Sequence, residues 1–101
     1  MKLALTVWDG RISPVFDVCR EALVLNIVKG NVVSTSKETL DSLTPRLKIE
    51  RLVSLGVETL ICGAITELLH REFASRGVNV LGFVIGEVNE VVQAFVSGAL
   101  A

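Results

Sequence analysis

The sequence predicts a single α/β domain built on a mixed sheet, with elements in the order β-β-β-α-β-α-β-α. Three observations carry this. The first third holds short apolar runs parted by turn residues, the pattern of strands and hairpins. The remainder alternates strand-like runs with helix-period stretches. Leu55-Gly56-Val57 and Arg76-Gly77-Val78 each close a helix and open a strand, and two such units in succession favour parallel strands joined by right-handed crossovers.

The elements follow in order. Lys2 to Trp8 is mostly apolar and reads as a buried strand, stopped by Asp9-Gly10. Arg11 to Cys19, which carries Pro14, reads as a loop. Glu21 to Val28 is a second strand; Lys29-Gly30-Asn31 turns it tightly into a third, Val32 to Ser36. Ser36 to Ser42 is polar and reads as irregular. Thr44-Pro45 opens a helix, with a hydroxyl cap and proline where its missing N–H costs nothing, and Gly56 ends it. Val57 to Cys62 is a fourth strand. Thr66 caps a helix with Leu69 and Phe73 inward, stopped near Gly77, and Val78 to Phe83 is a fifth strand. After Gly86, residues Val88, Val91, Val92, Phe95 and Val96 line one face of a last helix, ended by Gly98.

Composition narrows the function. Of 101 residues, 50% are hydrophobic, which excludes a disordered chain, and the length suits one domain spanning 1–101. Ten Lys+Arg against eleven Asp+Glu leave a net charge of -1, so no basic excess meets a nucleic-acid backbone. Tyrosine is absent and aromatics are 5%, so stacking platforms for single strands are missing. No apolar run reaches the ~20 residues of a membrane span, and no signal segment is evident. A cytoplasmic protein is expected, with Cys19 and Cys62 as free thiols.

Topology places the chemistry. Ligands of open α/β sheets bind beyond the carboxyl ends of the parallel strands. Here the exits of the first, fourth and fifth strands share one rim: Trp8 to Arg11, Cys62 to Ile65, and Gly82 to Gly86. An antiparallel second strand begins at that rim, bringing Cys19 and Arg20 to it. Two helix N-termini, at Thr66 and near Glu87, also point there and favour an anion. Gly10, Gly63, Gly82 and Gly86 would let backbone approach a ligand. The expectation is an anion-friendly rim around Arg11 and Arg20, with lowered thiol pKa values suited to thiophilic metals. Each residue also has a plainer reading. Cys62 fits a small buried hydrophobe, Cys19 either role, the arginines a solvated surface, Trp8 the sheet-end core, and His70 an exposed helix position away from the rim. Two cysteines are not a complete cluster motif, so a cluster needs other ligands or is held mainly by charge and shape. Two-metal nuclease chemistry needs clustered carboxylates, and the first strand offers only Asp9 at its end; cysteine catalysis lacks a nearby base.

The rim residues also carry a resemblance. Gly10-Arg11-Ile12-Ser13-Pro14-Val15-Phe16 resembles the GxISPxF signature of the dinitrogenase iron-molybdenum cofactor biosynthesis family. Leu60 to Ile65, Gly77-Val78-Asn79-Val80 and the closing Phe95-x-x-Gly98-x-Leu100 are similar to its later motifs, in the same order. After Phe16 this chain has Asp17-Val18-Cys19-Arg20 in place of the usual Gly-Arg-Ala-Pro segment, and its turn after the fourth strand holds fewer glycines. The resemblance implies a nitrogenase accessory factor-like domain of ribonuclease H-like topology, with five strands in the order 3-2-1-4-5. It implies a non-catalytic carrier or chaperone of an anionic iron–sulfur or molybdenum-containing cluster. Gly10, Arg11, Ser13, Arg20, Gly63, Ala64 and Thr66 are then expected to hold the cluster, with Cys19 and Cys62 as metal ligands. The expected partners are cluster donor and acceptor proteins, neither nucleic acid nor membrane, with the chain a monomer or weak homodimer. The alternative is a protein-interaction or small-anion-sensing module with no metal.

Overall fold

A computed structural model describes residues 1–100. Its strands are β1 (Lys2–Trp8), β2 (Arg11–Ile12), β3 (Glu21–Val28), β4 (Asn31–Thr39), β5 (Thr59–Ile61) and β6 (Asn79–Leu81). Its helices are α1 (Pro45–Ser54), α2 (Glu67–Ser75) and α3 (Val88–Val96), with a 3-10 turn at Phe16–Val18. The sheet runs β4-β3-β1-β5-β6, with β2 paired to β1 off that path. The β1–β5 and β5–β6 pairs are parallel, and β1–β3 and β3–β4 antiparallel. The mixed sheet, its order and its three helices therefore agree with expectation, but the strands number six, not five.

The extra strand comes from Asp9-Gly10. Both residues take positive φ, 52° and 75°, the two-residue turn whose twist suits a hairpin. Trp8 then pairs with Arg11, and Val7 with Ile12. β3 occupies one edge of β1 as far as Val7, so β2 takes the other, just past the point where β5 stops pairing at Leu5. What reads as a loop in sequence is thus a wedge fixed in the sheet. β4 also runs to Thr39 rather than Ser36, because beyond a bulge at Val33 it stays paired with β3 as far as Thr39; as an exposed edge strand it needs few apolar residues.

The sheet divides two cores. On one face Ala4, Phe16, Leu60 and Phe73 pack with Ile49 and Leu52 of α1, and the Phe16 and Phe73 rings meet edge to face at 5.4 Å. On the other, Leu3, Leu5, Leu25 and Ile61 receive Val88, Val91 and Val92 of α3, the stripe seen in sequence. Thr44 and Thr66 cap α1 and α2, their Oγ atoms accepting from Leu47 and Leu69 N–H. Lys48 is buried, and its Nζ donates to the Asp17 carbonyl at 2.5 Å, fastening the 3-10 turn onto α1. No helix among the described residues is long and apolar enough to cross a membrane.

Candidate anion site at the carboxyl rim

Three loops leave the carboxyl ends of β1, β5 and β6 and are sewn together through their backbones. Ile12 N–H donates to Gly86 O and Val88 N–H to Gly10 O. Ala64 N–H donates to Pro14 O, and Phe16 N–H to Ala64 O. Phe83 N–H donates to Gly63 O. Gly63 makes this closeness possible: a Cβ there would stand 2.4 Å from the carbonyl oxygens of both Ser13 and Pro14. The sequence assigns this glycine to ligand approach; the structure uses it for approach of the chain to itself.

Two hollows open beside this seam and share Arg11. The larger, about 540 Å³, lies between Gly10, Arg11, Lys37 and the start of α3, and its wall also carries Asp9, Glu21 and Glu87. The smaller, about 360 Å³, is walled by Arg11, Ile12, Pro14, Gly63, Ala64 and the Phe83–Gly86 loop. Arg11 is the one charged residue in that wall. The larger hollow opposes three carboxylates to two cations, which disfavours a polyanion; the smaller is otherwise apolar, and a charge–charge contact in such surroundings is less screened than in open water. Among the described residues Arg11 has no carboxylate within ion-pair distance, whereas Arg20, Arg46, Arg51 and Arg71 each have one and Arg76 has two. A guanidinium left without a partner at a concave surface is available to an external anion.

The other expected residues are distributed differently. Arg20 opens onto hollows shared with Trp8, away from Arg11, and lies 3.9 Å from Asp41. Ser13 is nearly buried, on the same side as Arg20. Thr66 borders a separate hollow of about 280 Å³, with Val15 and Phe83. Trp8 is 61% exposed instead of in the core, because β1 ends there and its side chain overhangs the rim. The helix N-termini offer less than expected. Glu67 already complements the start of α2, Glu87 sits at the start of α3, and Val88 N–H is used by Gly10.

The cysteines require the largest correction. Cys19 and Cys62 do neighbour each other, but within the core beside Ala4, Ala22, Leu60 and Phe73, at 2% and 0% exposure. Burial pushes the Cys19 thiol up to about 11, against a smaller pull downward from Lys48. Burial and then the nearby Cys19 push Cys62 up to about 12. The expected lowering is reversed because aliphatic packing, not the arginines, surrounds the sulfurs. Both sulfurs thus lie in the core rather than on the open rim. Thr6 Oγ1, on the Ala4 face of β1, is buried without a hydrogen-bond partner.

The family model for dinitrogenase iron-molybdenum cofactor proteins matches residues 1–98. The chain belongs to this family. Among solved structures, it is similar to the PH0822 protein, with TM-score 0.91 and 20% identity over 97% of this chain and 90% of that one. The apo form of the orange protein from Desulfovibrio gigas superposes with TM-score 0.82 and 18% identity over 99% and 90%. The MJ0327 protein of Methanocaldococcus jannaschii gives 0.83 and 24% over 100% and 92%. At these identities the likeness is one of fold. A search of curated proteins found no match.

Two features escaped the sequence reading: the β1–β2 hairpin that fixes Arg11, and the positive φ of Phe83 within the Gly82–Gly86 exit that the sequence already places at the rim. Asp9-Gly10 between two apolar stretches was the signal for the first. The second had none, since a phenylalanine carries no preference for positive φ.

Proposed function

We propose that this member of the dinitrogenase iron-molybdenum cofactor family is a small, non-catalytic cytoplasmic carrier or chaperone. Its cargo is an anionic metal–sulfur cluster of the iron–molybdenum or a related type, received from a donor protein and passed to an acceptor. The ribonuclease H-like topology belongs to the same reading and here serves as a scaffold for binding. The observation that carries the proposal is Arg11: set in a hairpin, without a carboxylate partner among the described residues, it lines a hollow whose wall holds no carboxylate as well as the larger one beside it. With both thiols in the core, the cargo is held by charge and shape rather than by cysteine sulfur. Weak anchoring of this kind suits a carrier, which must release what it binds.

Anaerobic reconstitution with iron, sulfide and molybdate tests this. Wild-type protein should acquire a charge-transfer absorption. The Cys19→Ala/Cys62→Ala double variant should keep it, and Arg11→Gln should lose most of it. A colourless wild-type protein, or colour indifferent to Arg11, refutes the proposal.

A further inference from the structure

Phe83 stands apart from the other phenylalanines. Phe16 and Phe73 are sealed in the core and Phe95 is half-buried, whereas Phe83 is 72% exposed. Its backbone sits at φ 60°, a region that bulky residues avoid and that glycine or asparagine would occupy more cheaply. The conformation is enforced from both sides: Phe83 N–H is held by Gly63 O at 2.8 Å, and Val84 N–H by Cys62 O at 3.0 Å. Nothing in the folding of this loop calls for an aromatic ring. Strain and an exposed apolar surface coincide at one residue, and that residue lines the Arg11 hollow on one side and the Thr66 hollow on the other.

The wall around Arg11 supplies the reason. Phe83, Val84, Ile85, Ile12 and Pro14 offer almost no polar group to replace an anion's hydration shell. Arg11 attracts any anion; the apolar wall penalises one that holds its water tightly. We propose that Phe83 is the specificity-determining residue of the hollow. Its ring selects a soft, weakly hydrated, sulfur-rich anion over a strongly hydrated oxyanion of the same charge and shape. This rests on the carrier reading above and deepens it, assigning charge recognition to Arg11 and discrimination to Phe83.

The test compares tetrathiomolybdate with molybdate, both tetrahedral dianions, by anaerobic equilibrium dialysis against the full chain. Wild-type protein should prefer the thioanion. Phe83→Gly and Phe83→Asn both remove the ring and suit a positive φ, so both should unfold at or above the wild-type temperature while their preference falls by about tenfold, the scale of a lost phenyl contact. Arg11→Gln should weaken both anions and leave their ratio nearly unchanged. An unchanged ratio in the two folded Phe83 variants overturns the assignment to Phe83 alone. Failure of wild-type protein to bind either anion overturns the carrier reading, and this inference with it.

Discussion

At the scale of single residues, chemistry and position separate sharply. Arginine and cysteine are equally visible in the sequence, yet among the described residues one rim arginine has no carboxylate partner and both thiols are enclosed. Arg11 follows a hairpin turn and Arg20 precedes a strand, so both stay at the surface; only the neighbours decide that Asp41 lies beside Arg20 while Arg11 has no carboxylate partner among the described residues. Gly63 shows how local the constraint is. A methyl group there meets two backbone oxygens that belong to the stitched seam and cannot give way separately. Gly63→Ala should destabilise the fold by about 1–3 kcal/mol, the range for overpacking a tight site, and widen the Arg11 hollow. Urea unfolding measures the first effect and anion dialysis the second; wild-type stability would show that the seam yields easily.

At the scale of elements, helices and central strands were legible because period and caps are local properties. The α3 stripe, the Thr44-Pro45 start and the Thr66 cap all appear where the residues predict them. β2 was not legible, because two residues carry no period. Its existence depends on the vacant edge of β1 beyond Leu5 as much as on Asp9-Gly10. Gly10 has open space where a Cβ would stand, so substitution there costs conformation alone. Gly10→Ala should lose about 1 kcal/mol from the positive φ, and it should loosen the hairpin that aims Arg11. Anion affinity should fall in this variant although no group that touches the anion has changed. Unaltered affinity with lowered stability would mean that Arg11 does not depend on β2 for its position.

At the scale of the whole molecule, the two buried thiols couple the fold to alkaline pH. Their ordinary value is 9.0, and in the folded protein they stand at about 11 and about 12. Between pH 9 and those values the unfolded chain releases protons that the folded one retains. Stability therefore falls as pH rises through that window, and near pH 7, where both states are protonated, the thiols contribute no slope. Urea midpoints taken from pH 7 to 10.5 should decline more steeply for wild-type protein than for the Cys19→Ala/Cys62→Ala variant. Equal slopes would show that the sulfurs are reached by water.

The sequence by itself determined the mixed sheet, its three helices and the order of five of its six strands. These follow from short-range periodicity, from capping and turn residues, and from the handedness of helix–strand connections, all of which act over a few neighbouring positions. The tertiary structure alone decided which rim residues face outward. Whether a thiol meets solvent or leucine, and whether a guanidinium meets a carboxylate, depends on chain segments dozens of positions away. Packing against those segments sets exposure and charge pairing, and no local pattern encodes it.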